Sequence, residues 1–244
     1  MKRKHFCIAV TTALALLFAM ASSTAAHAHA PAPPPAINPA NFVRHVTNTF
    51  FPLRPGTTFF YMGEKEGVPN TNQVSVTHAT KRILGVTTTV VHDQVFEAGV
   101  LSEDTFDWYA QDVAGNVWYF GEDTKELDPS GHVISTEGTW QAGVDGAQPG
   151  IIMEAHPHVG DRYQQEFAAP VAEDMAQVRS RDGSACVRYG CFDDLLVTKE
   201  WTPLERGVVE NKYYAQGIGV IREVVVKGGD ERSELVRITE RPEN

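Results

Sequence analysis

From Thr57 to Glu240 the chain is a succession of short runs rich in Val, Thr, Ile and aromatic residues, each ended within a few residues by Gly, Pro, Asn or Asp. Such punctuation leaves room for strands and tight turns but not for long helices. Candidate strands cover 57–63, 72–79, 81–85, 87–97, 100–110, 117–122, 132–137, 161–168, 173–181, 192–202, 208–215, 219–227 and 232–240. No window of about 15 residues downstream of the N-terminal segment keeps a 3.6-residue apolar period with helix caps, which argues against an α/β fold. The expected class is all-β, an antiparallel meander with at most one or two short helices, one of them over 40–47. A dozen antiparallel strands expose two edges unless the sheet curls, so a barrel or half-barrel is expected. A single β-rich domain over 48–240 follows.

The face patterns say what the curved sheet would enclose. In Val197–Thr202 one face carries Val197, Lys199 and Trp201, the other Thr198, Glu200 and Thr202. In the 209–214 run, Glu210, Lys212 and Tyr214 share a face. Neither run has a wholly apolar side, as expected where one sheet face lines a polar cavity.

The N-terminus reads as an export signal. Lys2, Arg3 and Lys4 precede an apolar run from Ile8 to Met20, and Ala26-His27-Ala28 is a small-x-small cleavage site. Residues 1–28 are therefore expected to be removed, leaving 29–47 as a Pro-rich tether and short N-terminal segment. The apolar run is short for a bilayer span, and no later stretch reaches roughly 20 apolar residues. A secreted or periplasmic protein without a membrane span is expected. Without Lys2, Arg3 and Lys4, 18 basic residues face 31 acidic ones, a formal charge of −13. That balance argues against nucleic acid as a partner. Oligomeric state is not legible.

Two cysteines, Cys186 and Cys191, remain downstream of the signal. A close pair in an oxidising compartment is expected to form a disulfide across a short turn, ahead of a two-thiolate metal site with no further Cys to complete it.

Several longer motifs carry a resemblance. Phe51-Pro52-Leu53-Arg54-Pro55-Gly56-Thr57, the run 107–112 (DWYAQD), the run 118–126 (WYFGEDTKE), 149–153 (PGIIM) and 198–205 (TKEWTPLE) together resemble a family of exported bacterial proteins of unassigned function. The resemblance covers roughly 48–240 and implies an antiparallel sheet curved into a partial barrel, similar to periplasmic lipoprotein-carrier folds. It brings no catalytic residues. The Cys186/Cys191 pair departs from the family pattern, which argues against a shared catalytic role for those thiols.

The candidate site centres on two acid-flanked aromatic runs, 103–112 and 117–123, joined at Gly115-Asn116 as a hairpin. One reading packs the aromatics into the core and leaves the acids to end strands and cap turns. The other makes the hairpin a ligand wall, because aromatic faces beside carboxylates suit a polyhydroxylated molecule or an organic cation. The candidate ligand-binding set is Asp107, Trp108, Tyr109, Trp118, Tyr119, Glu122, Glu200 and Tyr214. No cofactor is expected, with a divalent metal as the alternative. Oxygen-liganded Ca²⁺ at the hairpin lacks the usual spacing. His156 and His158, flanking Pro157 between Glu154 and Asp161, are the nearest approach to a metal cluster. His29 at a processed terminus is a weaker chelating candidate.

The leading function is an extracytoplasmic binding protein for a small polar or amphipathic ligand. The alternative is a secreted hydrolase or lyase using paired carboxylates among Glu166, Glu173, Asp174, Glu200 and Glu210, or a His-containing metal site. The sequence has no Gly-x-Ser-x-Gly elbow, and Ser184 falls in an expected turn. Nor does it have a nucleotide-binding glycine motif.

Overall fold

The computed structural model describes residues 36–240; the signal peptide expected over 1–28, His29 and the Pro-rich run to residue 35 lie outside the described residues. A single 3-10 turn at Pro39–Asn41 opens the described chain, capped by the Asn38 side chain, which accepts from the Ala40 N–H. Three two-residue strands follow: β1 (Phe42–Val43), β2 (Val46–Thr47) and β3 (Pro52–Leu53). Five long strands come next: β4 (Thr57–Lys65), β5 (Val68–Ile83), β6 (Val86–Glu97), β7 (Val100–Asp112) and β8 (Val117–Leu127). Shorter pieces are β9 (Val133–Ser135), β10 (Trp140–Gln141), β11 (Gln148–Met153), β12 (Arg162–Gln164) and β13 (Glu166–Phe167). The chain ends in β14 (Met175–Val187), β15 (Gly190–Trp201), β16 (Val209–Ala215), β17 (Gly219–Lys227) and β18 (Arg232–Glu240).

The hydrogen-bonded order is β12-β14-β15-β16-β17-β18-β4-β5-β6-β7-β8-β11-β13, antiparallel throughout. Its two ends, β12 and β13, are separated in the chain by Gln165 alone, so one kinked segment spans the gap and the sheet is nearly closed into a barrel. At that joint β11 runs so close that a Cβ on Gly150 would overlap the Gln165 carbonyl. Gly121 plays a similar part on β8. It has φ +123° at a register shift, and a Cβ there would strike the Trp140 carbonyl of β10. Glycine at a bulge admits both the backbone angle and the close approach.

Three expectations change. The helix over 40–47 gives way to strand, because Phe42 and Val43 pair with Asp112 and Gln111 of β7, and β2 pairs with β3. The segment 138–160, which falls between candidate strands, contributes β10 and the barrel strand β11. Pro149-Gly150 and a register shift between Ile151 and Met153 hide the alternation that would have marked it. The expected strands 72–79 and 81–85 are one strand, β5, with a register shift between Val76 and Thr80.

The apolar core lies in two places. One cluster fills an end of the barrel, where Val46, Phe50 and Leu53 of the N-terminal segment pack against Phe59, Val76, Val91, Leu196 and Leu235. The other combines Ile83, Val86, Val90, Trp108, Trp118, Phe120 and Trp140, with Ile37 and Phe42 packed against them. The tip of the β14–β15 hairpin is pinned by the Cys186–Cys191 disulfide between register partners, and Tyr189 N–H donates to the Leu235 carbonyl.

Candidate functional site

Side chains that alternate along the long strands line a cavity of about 390 Å³ inside the barrel. On β4 these are Phe59, Tyr61 and Lys65; on β5 Val74, Asn72 and Asn70; on β6 Asp93, Val95 and Glu97; on β7 Tyr109, Asp107, Thr105 and Glu103. The β4, β5 and β7 series begin apolar or aromatic near the core end and turn polar away from it. Phe51, Pro52 and Leu53 also reach the lining, so the N-terminal segment floors the cavity. The Lys65–Glu231 pair, 3.4 Å apart with side chains 17% and 31% exposed, marks the rim.

Of the eight candidate ligand-binding residues, six line this cavity: Asp107, Tyr109, Tyr119, Glu122, Glu200 and Tyr214. Period-2 geometry places Trp108 on the opposite face of β7 from Asp107 and Tyr109. Trp118 also packs in the second core cluster, where its indole N–H donates to Asp112 at 2.9 Å. Lys81 Nζ sits 3.2 Å from the Trp108 ring centroid. Asp112 itself caps the hairpin turn, accepting from the Asn116 backbone and side chain. Both readings of the hairpin therefore apply, one to each face.

The lining holds ten carboxylates (from Asp93 on β6 to Glu231) against two lysines, Lys65 and Lys212. Asp107 and Glu122 are direct cross-strand partners, and Tyr119 Oη donates to Asp107 at 2.6 Å. The Tyr109 and Tyr119 rings stack with centroids 4.7 Å apart. Burial pushes Asp107 up to about 6 even though Tyr119 and Tyr109 hydrogen-bond its ionised form. Burial, then the Asp107 charge, drives both Glu122 and Asp93 well above the carboxylate range. Glu103 is raised to about 7, again chiefly by burial, with Thr105 partly offsetting it. Desolvation disfavours the charged form, and neighbouring acids compound it.

Across the barrel the balance differs. Lys212 Nζ lies 3.4 Å from Glu200, 3.8 Å from Glu210 and 3.4 Å from Glu223. Burial alone would lower its pKa, but Glu200, Glu223 and Glu210 together raise it well above the usual lysine value. Glu200 also accepts from Thr198 Oγ1 at 2.7 Å and Tyr214 Oη at 3.1 Å. Asp174 is raised to about 6 by burial against a hydrogen bond from Thr202. Thr198, Glu200 and Thr202 are all buried, while Lys199 stacks on Trp201, so the face division expected for β15 holds.

His156 and His158 border a separate surface groove with Thr49, Arg181 and Gln216. The His158 N–H donates to Asp161 at 2.7 Å, and its ring Nδ1 lies 3.4 Å from the same carboxylate. Among the described residues no group of three or more His, Cys, Asp or Glu side chains is arranged to hold a metal ion. Among those residues, too, no helix is long and apolar enough to cross a membrane.

Several cavity residues escaped the sequence reading. Asp93, Glu97, Glu103 and Asn72 sit at alternate positions facing the same interior as Asp107, so extending the period-2 argument from β15 and β16 to β5–β7 would have found them. Gln165 and Glu231 had no such signal, because each lies at a corner or strand entry.

No family model matches the chain, and no curated protein matches it. Two solved structures resemble it. One is a candidate exported protein with a YmcC-like fold from Bacteroides fragilis NCTC 9343, with 16% identity and a TM-score of 0.46, covering 79% of this chain and 100% of that one. The other is a candidate lipoprotein from Parabacteroides distasonis ATCC 8503, with 10% identity and a TM-score of 0.43, covering 79% and 99%.

Proposed function

We propose that this is an extracytoplasmic binding protein that holds a small polar or amphipathic molecule inside its barrel. The observation that carries the proposal is an interior left open to about 390 Å³ and walled by ionisable groups. Protein interiors ordinarily leave few voids larger than a water molecule, whereas ligand pockets run to roughly 300–1,000 Å³. Stacked tyrosines beside buried carboxylates give such a pocket both an apolar contact and directional hydrogen bonding. The signal-like segment 1–28 supports export.

The test is native mass spectrometry of the protein isolated, without denaturation, from the envelope or medium of its own source. The expected result is a non-covalent complex that releases a small molecule on unfolding. Conversion of that molecule to product by the purified protein would overturn the binding reading and favour the hydrolase or lyase alternative.

A further inference from the structure

We infer that the molecule held in the barrel is an organic amine with protonated, N–H-bearing nitrogens at more than one place along its length. The inference rests on the binding reading above and adds the ligand's chemical class.

The first argument is charge. Both lysines of the lining are already engaged, Lys212 with three glutamates and Lys65 with Glu231. Asp93, Glu103, Asp107 and Glu122 occupy the wall made by β6, β7 and β8, across the barrel from Lys212 on β16. A cation on that wall would let these carboxyls ionise in pairs rather than against one another.

The second argument is hydrogen bonding. Asn72 Oδ1 and Asp93 Oδ1 are buried acceptors with no donor. They are neighbours, since Asn72 Nδ2 donates to the other Asp93 oxygen at 3.5 Å. Two orphaned acceptors side by side call for N–H or O–H donors, which a quaternary ammonium lacks, and the charge of the wall favours the N–H of an amine. Gln165, 2% exposed and part of the same lining, has an unpartnered Nε2. That buried donor is matched by a ligand oxygen or an uncharged nitrogen.

The third argument is reach. Glu103 and Asp107 lie four residues apart on one face of β7, which spans about 13 Å at roughly 3.4 Å per residue. A single ammonium cannot serve both ends of that row. Val74, Val95 and the Tyr109–Tyr119 stack lie among the acids and suit intervening methylenes.

Amine binding should therefore be linked to proton release. Asp107 is hydrogen-bonded by Tyr119 and Tyr109 and feels the charges of Lys212 and His92 and of the acids Glu122, Asp93, Glu103 and Glu166. The groups facing Glu103 are Thr105, Asp107, Glu126 and Lys65. Asp93 meets Asp107, Glu103, Asn72 and Glu223. With Glu103 raised to about 7 and Asp107 to about 6, the wall gains negative charge as pH rises through 6 to 7.

The experiment is isothermal titration calorimetry with spermidine, and with 1,8-octanediol as an uncharged comparison of similar length, at pH 5.5 and 8 in two buffers of different ionisation enthalpy. Spermidine is expected to bind at pH 8 with proton release, at least tenfold more weakly at pH 5.5, and the diol at least tenfold more weakly than the amine. Asp93→Asn should weaken spermidine at least tenfold while melting no lower than the parent, because the amide has no charged form to be desolvated or opposed by Asp107 and Glu103. Diol binding equal to or tighter than spermidine binding would overturn the amine assignment and leave the binding reading standing. Absence of spermidine binding, or an unchanged affinity in folded Asp93→Asn, would also overturn it. Failure of the binding reading itself is read separately, by the native mass measurement.

Discussion

Lys212→Met removes a single ammonium from inside the barrel and leaves the alkyl stem nearly intact. In the parent protein that ammonium sits within 3.8 Å of Glu200, Glu210 and Glu223, with the lysine side chain 26% exposed and the glutamates 9%, 26% and 32%. Breaking a buried ion pair by removing one partner costs about 3–5 kcal/mol, and partial exposure here favours the lower end. At pH 8 the expected loss is therefore about 3 kcal/mol, which for a domain of this size lowers Tm by roughly 6–12 °C. At pH 5 Glu210, pushed well above the carboxylate range chiefly by burial, takes up a proton more readily, and the loss should shrink. Adding Glu200→Gln to the variant should recover part of the loss at pH 8, because fewer like charges then face one another. The assay is thermal and urea melting of parent, single and double variants at both pH values. A Lys212→Met protein as stable as the parent at pH 8, or a loss that does not change with pH, would refute the reading of Lys212 as the charge that balances Glu200, Glu210 and Glu223.

Glu103 at about 7 and Asp107 and Asp174 at about 6 lie above their unfolded values, so the folded state holds protons more tightly. These three groups should therefore make the ligand-free protein lose stability as pH rises from about 4, where the unfolded carboxyls titrate, through 6 to 7, and level off above that, as pH-dependent melts would show. Trp108→Ala and Trp118→Ala, 5% and 7% exposed in the second core cluster, should each cost about 3–5 kcal/mol by urea melting. Neither should change ligand affinity in whatever fraction stays folded, since neither residue lines the cavity. Alkylation of the native protein should find no reactive thiol at Cys186 or Cys191. Replacing both by serine should cost about 2 kcal/mol at most, because the closed loop is short.

The barrel was legible because its long hairpins obey local rules. Thr57–Lys65, Val100–Asp112 and Gly219–Lys227 are rich in β-branched and aromatic residues and stop at glycines or acids, so composition and turn chemistry locate them without tertiary information. Curling was expected from the two exposed edges, but the pairings that close the sheet were not legible. They depend on β18 finding β4 across most of the chain, and on a corner at Gln165 whose neighbours Gly150 and Glu166 are ordinary in sequence. At the site, Glu200, Lys212 and Tyr214 were readable as sharing a polar face. Trp108 and Trp118 misled because an aromatic run presents alternate residues to opposite sides, and only the register shift near Gly121 decides which of them meet the cavity. Asp93 was hidden by a neighbour: His92 beside it faces outward and binds Asp104, so the strand reads as polar on both sides.

The central claim is that the acids of β6, β7 and β8 face a desolvated interior rather than bulk water. Carbon-13 NMR titration of Asp and Glu side-chain carboxyls in the ligand-free protein tests it directly. The account predicts carboxyls with midpoints of about 6 to 7, assignable to Asp107 and Glu103, and others from Asp93 and Glu122 displaced well above the ordinary carboxylate range. A spectrum in which all four carboxyls titrate in the ordinary range, around pH 4, would contradict it.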